Sequence, residues 1–391
     1  MTPNSTACMI AYANYFTDAR IKNYVDALLK AGFEVDVFAL GQPEVCPPGL
    51  RVFCLMPKLW SGNPLYYVFC QLWFFLSATF LVTRASIHRR YALVHVHNMP
   101  DFIVFPALVP KLLGAKVILD VHDTMPEAYA TKFNLTLDHP LIALIRLEER
   151  VSAAFADHLI ASNDLHNEVL RERGVPASKI TNIMNLGNEA VFRPQPRSRA
   201  REGLTLVYHG TVAERLGLDL ILDGIRQARP SCPNMRFVLI GGGDYMPTVR
   251  RLIDHFHLGD VVKTEGWVSV ECLPRYLSAA DLGVVGNRRY TEARRNWMLP
   301  VKMLEYAAME IPTIAPRLKV IEYYFDDSNA VFYEPDDPQD LARCLREVYE
   351  HPEKLEAIRR GLRIFNARYN WETMRQRYMR LVNHITRGAM S

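Results

Sequence analysis

Leu93–Asp123 reads LVHVHNMPDFIVFPALVPKLLGAKVILDVHD. The apolar run Leu93–His97 predicts a strand. The spacing of Phe102–Leu113 predicts a helix, and the apolar run Lys116–His122 predicts a second strand. Strand, helix and strand within about thirty residues make a βαβ unit, which joins parallel strands. His122 and Asp123 then stand at the carboxyl end of a buried strand, where open α/β sheets place their ligands. His95 and His97 point to the same face of the strand before it. A metal on these histidines is one reading, although no Cys or carboxylate cluster completes a shell around them. Hydrogen-bonded core histidines are the other.

The alternation extends in both directions. Strands are expected at Ala7–Tyr12, Glu34–Leu40 and His158–Ser162, with helices at Ala19–Ala31 and Leu141–Phe155. Near residue 194 the pattern breaks at a Pro-rich, basic segment, Arg193–Arg199, which reads as a linker. Beyond it strands are expected at Leu204–His209, Arg236–Ile240, Val261–Glu265, Leu282–Val285, Thr313–Ala315 and Val331–Tyr333. Helical patterns separate them, and two more, Glu353–Ala367 and Glu372–Thr386, close the chain. The expected architecture is α/β: two doubly wound parallel-sheet domains, residues 1–193 with 371–391, and residues 194–370. The cleft between two such domains is the default site.

Composition narrows the function classes. A chain of 391 residues is too long for one ordinary domain. Twenty Gly and 24 Pro exclude a coiled coil, and a net charge of only +4 disfavours nucleic acid as a partner. Seven cysteines without a CxxC pair fit a reducing cytosol better than a disulfide framework. The first residues show no basic segment followed by an apolar one, so no signal peptide is expected.

Three windows in the second half carry chemistry. In NWMLPVKMLEYAAMEIP, residues 296–312, Pro300 suits the first position of a helix, and Leu299 offers no capping side chain. Backbone N–H groups of that first turn suit a diphosphate. Lys302 and Glu305 share one helix face, the first fitted to phosphate and the second to ribose hydroxyls. A plain ion pair between them is the alternative. In Tyr208–Gly217 a strand runs into a glycine-bounded turn, where Gly210 lets a ligand approach the backbone and Arg215 can neutralise phosphate. Gly241-Gly242-Gly243-Asp244 follows a strand and is either a phosphate turn or a simple tight turn.

In order, these windows resemble a retaining family 4 glycosyltransferase of the GT-B fold, of the kind that builds bacterial polysaccharides and glycoconjugates. The resemblance runs over nearly the whole chain: Arg20–Val37, His95–Asp123 and Met125-Pro126-Glu127 in the first half, and Gly210–Gly217, Gly241–Asp244, Glu265-Gly266-Trp267-Val268, Ala280-Asp281 and Lys302–Tyr306 in the second. It implies two Rossmann-like domains facing across a cleft, with a crossover helix from about Trp371. It implies a nucleotide-sugar substrate, a UDP- or GDP-sugar, and neither a resident cofactor nor a metal.

By the same resemblance Glu305 holds the ribose, and Arg215 with Lys302 contacts the diphosphate. Gly210, Thr211, Gly242, Gly243 and Asn296 complete the donor side, and the backbone at Trp267 and Val268 meets the base. His122 lies at the reaction centre, with Arg20, His97 and Asp123 on the acceptor side. Three departures stand out. The first of the family's two glutamates falls on Trp297, so Asn296 or Glu292 would have to substitute. The Gly-Gly loop after the first strand is replaced by Ala13–Arg20. The Lys before the glycine of the phosphate turn is Leu216.

Leu65–Val82 holds eighteen residues without a charge, at the threshold for a membrane span. From Arg51 to Lys116 seven basic residues face a single acid, Asp101. An apolar helix flanked by Lys58, Arg84, Arg89 and Arg90 suits docking on an anionic leaflet. A helix buried in the core is the alternative. The expectation is a peripheral protein on the inner face of the cell membrane, with a lipid-linked or saccharide acceptor. Two other functions use the same residues: a sugar-nucleotide epimerase, and a non-catalytic partner subunit, the latter motivated by Trp297.

Overall fold

The computed structural model describes residues 5–57, 64–133, 135–195, 203–289 and 297–386. The chain divides into two units, Met1–Asn185 with Glu372–Ser391, and Leu186–Trp371.

Among the described residues the first unit holds seven strands: β1 (Thr6–Asn14), β2 (Glu34–Leu40), β3 (Leu50–Met56), β4 (Tyr91–His97), β5 (Lys116–Val121), β6 (His158–Ala161) and β7 (Ile180–Asn182). All are parallel, in the order β3-β2-β1-β4-β5-β6-β7. The order reverses between β1 and β4, the switch point at which doubly wound sheets open a crevice. The second unit repeats the scheme with β8 (Thr205–Thr211), β9 (Arg236–Gly242), β10 (Val262–Glu265), β11 (Leu282–Val284), β12 (Thr313–Pro316) and β13 (Val331–Tyr333). Its order is β10-β9-β8-β11-β12-β13, with the switch between β8 and β11. Helices cover the faces, and each unit has its own core, around Ile10, Phe74 and Val96 in the first and Leu206, Leu239 and Leu282 in the second.

The structure departs from the sequence expectation at four places. Strands β3 and β7 were not expected; both lie at sheet edges, where an apolar run is short or half exposed. The helix expected over Phe102–Leu113 is a 3₁₀ segment, Asp101–Ala107, followed by a short α-helix, Leu108–Leu112. Pro106 and Pro110 interrupt the backbone hydrogen bonding that one continuous helix needs. The unit boundary falls after Asn185, ahead of the Pro-rich segment, because Phe192 is buried in the second core beside Val207 and Tyr306. Finally, Pro300 caps its helix rather than opening it.

The uncharged stretch forms most of the helix Pro64–His88 between β3 and β4. Cys70, Phe74, Ala78 and Val82, spaced by four, are buried against the sheet. On the opposite side Phe69, Trp73, Leu76 and Phe80 are exposed. This helix is long and apolar enough to cross a membrane, yet only 28% of its apolar window is buried in the protein. One face of the helix therefore belongs to the core, as the core-helix alternative expects, and the other is exposed. Of its expected basic flank, Arg84 and Arg90 are exposed, Arg89 pairs with Glu34 and Asp36, and Lys58 lies outside the described residues.

The last helix, Trp371–Thr386, leaves the second unit and joins the first. Its Tyr378 is fully buried there, and Arg377 donates to the Asn182 carbonyl at 2.9 Å. This is the expected crossover helix.

Candidate active site

In the second unit the turns after β8 and β9 interlock. A Cβ on Gly241 would meet the carbonyl oxygen of Gly210, and one on Gly243 that of Val212. Only glycine permits so close a backbone approach. Val212 N–H donates to Gly242 O at 2.9 Å, and Tyr208 Oη donates to Thr211 O at 2.6 Å. Thr211 and Arg215 are exposed on this edge. Arg288 donates to the carbonyls of Arg215 and Glu214, fixing the turn that presents the Arg215 guanidinium.

The helix Val301–Ala308 has no side-chain cap at Pro300. Lys302 and Glu305 stand on its first turns but form no ion pair with each other. The Lys302 ammonium instead sits 3.7 Å from the centroid of the Tyr208 ring, and Glu305 Oε2 lies 2.5 Å from His209 Nε2. The simple ion-pair alternative therefore fails. Loss of solvent lowers the Lys302 pKa to about 7, with Glu305 opposing the shift and Arg215 adding to it. The bend Glu265–Val268 comes close as well. A Cβ on Gly242 would lie 3.1 Å from the Trp267 indole nitrogen, and the Trp267 ring is 68% exposed.

In the first unit three imidazoles surround one carboxylate. His97 Nδ1 lies 3.1 Å from Asp120 Oδ2, His122 Nε2 at 3.4 Å and His95 Nε2 at 3.6 Å. The register pairs His97 with Asp120 across β4 and β5. His95 is held at its other nitrogen, Nδ1, 2.9 Å from Tyr378 Oη. Burial lowers the His95 pKa to about 4 and that of His122 well below its ordinary value, with Arg20 adding to the effect at His122. Burial would raise the Asp120 carboxyl, but the three imidazoles around it, His122 foremost, outweigh it and hold Asp120 well below the usual range. The sequence reading found no carboxylate to complete a ligand shell here. Asp120 does join His95 and His97, with donor atoms within 4.8 Å of one another. The His95 and His97 rings stack at 4.3 Å, and His97 and His122 are nearly parallel at 5.6 Å. Each of the three rings turns one nitrogen towards Asp120 Oδ2, and that of His97 is hydrogen-bonded to it.

Comparison with known proteins fits this geometry. The family described as Glycosyl transferase 4-like domain matches residues 17–185, and that described as Glycosyl transferases group 1 matches residues 203–351. The structure superposes on sucrose-phosphate synthase from Thermosynechococcus elongatus with a TM-score of 0.76 and 18% identity, over 98% of this chain and 100% of that one. It superposes on HepE of Anabaena, solved with UDP and glucose, with a TM-score of 0.73 and 14% identity, over 97% and 100% of the two chains. The chain belongs to the glycosyltransferases of the GT-B fold. A curated relative of this glycosyltransferase is the chitobiosyldiphosphodolichol beta-mannosyltransferase of Candida albicans, 22% identical over 281 residues. That alignment takes in 66% of this chain and 60% of the relative, so the chain spans less than two thirds of it.

In this GT-B glycosyltransferase the structure brings Gly210, Thr211, Arg215, Lys302 and Glu305 to one edge of the second sheet, with Gly242, Gly243, Trp267 and Val268 on the adjoining turns. Arg20, His97, His122 and Asp123 stand at the carboxyl edge of the first sheet, near its switch point. Asn296 and Glu292 lie outside the described residues. Trp297, at the position of the family's first glutamate, is buried beneath the Lys319 ammonium. Sequence reasoning missed Tyr208, His209 and Asp120 as partners of the site. Asp120 was legible by period two from His122; the other two depend on how β8 meets the helix Val301–Ala308.

Proposed function

We propose that the protein transfers a sugar from a UDP- or GDP-sugar to a lipid-linked or saccharide acceptor with retention of anomeric configuration. One observation carries this reading. Lys302 and Glu305, unpaired with each other, stand on an uncapped helix start beside Gly210, with Arg215 on the same edge. Such an edge suits a nucleoside diphosphate: cations and N–H groups for the leaving phosphates, and a carboxylate for the ribose.

In this reaction the bond from the anomeric carbon to the phosphate oxygen breaks. A bond to the acceptor oxygen forms on the same face of the sugar, and the acceptor proton passes to the departing diphosphate. Arg215 and Lys302 stabilise the charge on that leaving group. His122, neutral by burial, serves as a hydrogen-bonding group to the sugar rather than as a cation. The reaction needs neither a metal nor a resident cofactor.

The lipid-linked acceptor is favoured by the exposed apolar stripe Phe69, Trp73, Leu76 and Phe80, with Arg84 and Arg90 exposed on the same helix or just past its end. The relative named for chitobiosyldiphosphodolichol points the same way. The protein would work peripherally at the cytoplasmic membrane face, with this helix lying on the leaflet.

The test is a thermal-shift panel of nucleotide sugars, followed by transfer assays with lipid-linked acceptors and assignment of the new anomeric centre by NMR. A donor that raises stability and is consumed by wild type but not by Glu305→Ala supports the reading. The burial of Trp297 at the first motif glutamate favours a second reading, a non-catalytic partner subunit. Donor binding without turnover on any acceptor would select it, and a free epimerised sugar nucleotide would select an epimerase.

A further inference from the structure

Glu305 is the outer end of a buried chain of polar groups. Its Oε2 lies 2.5 Å from His209 Nε2, and His209 Nδ1 lies 3.0 Å from Tyr306 Oη. Tyr306 Oη donates in turn towards the carbonyl oxygen of Val207 at 3.1 Å. Val207 and His209 are two residues apart on β8 and share a face. Glu305 and Tyr306 are neighbours on the helix Val301–Ala308. Tyr306 is fully buried and His209 is 5% exposed, while the Glu305 side chain keeps 16% of its surface.

With Glu305 as a carboxylate, the ordinary form of that side chain at neutral pH, counting protons fixes the direction of this chain. Tyr306 has a single O–H, and the Val207 oxygen can only accept. If the phenol proton goes to Val207 O, His209 Nδ1 must donate to Tyr306 Oη. His209 then also needs a proton on Nε2, because two acceptors do not face each other at 2.5 Å. If the phenol proton goes to His209 Nδ1 instead, the neutral ring carries its one proton on Nε2. Either way Nε2–H donates to an ionised Glu305.

Lys302 lies three residues from Glu305, close enough for the two to pair and cancel. They do not, because His209 claims the carboxylate and the Tyr208 ring claims the ammonium. One Glu305 oxygen is held this way, and a carboxylate has lone pairs left for two hydroxyl donors. We infer that His209 is a positioning residue, which holds the Glu305 carboxylate away from Lys302 and in the pose that receives the two ribose hydroxyls of the donor. The inference rests on the nucleotide-sugar reading proposed above.

Calorimetry on the full chain tests it. UDP and GDP are each compared with their 2′,3′-dideoxy forms, and the ratio of affinities reports the ribose contacts alone. Wild type should favour the ribose form, and Glu305→Gln should cut the ratio about tenfold, as expected for hydrogen bonds to a charged group. His209→Asn, whose amide reaches only the Nδ1 position, should cut it to a similar extent while leaving dideoxy binding unchanged. His209→Gln, whose amide reaches the Nε2 position, should restore part of the ratio. In the Glu305→Gln background His209→Asn should have no further effect.

An unchanged ratio in His209→Asn would overturn the inference, as would an equal loss for both nucleotide forms, and the Glu305→Gln result would still stand for the donor reading. No preference for ribose in wild type would sink that reading and the inference together. If His209→Asn does not fold, Tyr306→Phe is read the same way: it keeps the ring, loses the hydroxyl, and should lower the ratio a few-fold.

Discussion

The Lys302 ammonium lies over the face of Tyr208, 3.7 Å from the ring centroid. The pairing keeps a cation beside the Gly210 turn without a carboxylate to neutralise it. With its pKa lowered to about 7, Lys302 is only partly charged at neutral pH until an anion arrives. A bound diphosphate favours the charged form and raises that pKa, so binding takes up a proton above pH 7. Nucleoside diphosphate affinity should fall as pH rises from 7 to 9. Lys302→Met should remove that slope and weaken binding about 10- to 100-fold. Calorimetry in buffers of differing ionisation enthalpy reads the proton uptake directly, and a pH-independent wild type would refute it.

Arg215 is exposed, and its turn is held by Arg288 rather than by its own side chain. Arg215→Ala should therefore weaken donor binding about tenfold. Stability should stay within about 0.5 kcal/mol of wild type, as for most surface changes. Donor KM and a urea unfolding midpoint check the two halves of this expectation.

Gly217 adopts φ +61°, and a Cβ there would run into the Gly286 carbonyl oxygen. Gly217→Ala should destabilise the second unit by about 1–3 kcal/mol from the left-handed backbone alone, with more from the collision. Chemical denaturation would show it as a lowered midpoint. An unshifted midpoint would mean that the turn relaxes freely.

Four buried histidines, His95, His122, His158 and His166, make the first unit sensitive to acid. Burial lowers His95 and His158 to about 4 and His166 to about 3. The unfolded chain takes up protons at these sites near pH 6.5, where the folded chain does not. Folded stability from these groups is thus present above pH 6.5 and is lost as pH falls towards 4. Urea midpoints between pH 7 and pH 4 should decline, and His166→Asn should flatten part of the decline.

The exposed stripe of the helix Pro64–His88 should carry vesicle binding. Each large apolar side chain taken from water contributes roughly 1.5–3 kcal/mol. Replacing Trp73 and Phe80 with Ser should then cut partitioning onto anionic vesicles by at least about 100-fold, with little effect on folding. Flotation at low salt measures this, and a wild type that stays in the soluble fraction would defeat the docking proposal.

The Rossmann pattern was legible because its central strands are continuous apolar runs, such as Lys116–Val121, buried on both faces. Leu50–Met56 escaped because it is an edge strand whose side chains are mostly half exposed. On the donor side, Lys302, Glu305 and Arg215 could be named from helix spacing and turn chemistry. Their actual partners, Tyr208 and His209, could not. They lie about a hundred residues away in the chain and meet the helix only through the packing of β8. The histidine column was half visible: period two put His95 with His97, but the register that sets His97 against Asp120 belongs to the folded sheet.

Tyr378 also constrains the order in which the molecule is made. It is buried in the first unit and holds His95, yet in the chain it follows the whole of the second unit. The second unit, contiguous from Leu186 to Trp371, has all its own residues before that helix is synthesised. Nascent chains should therefore finish the C-terminal unit first. A product truncated before residue 371 would leave the histidine column open, with His95 Nδ1 missing its phenol partner.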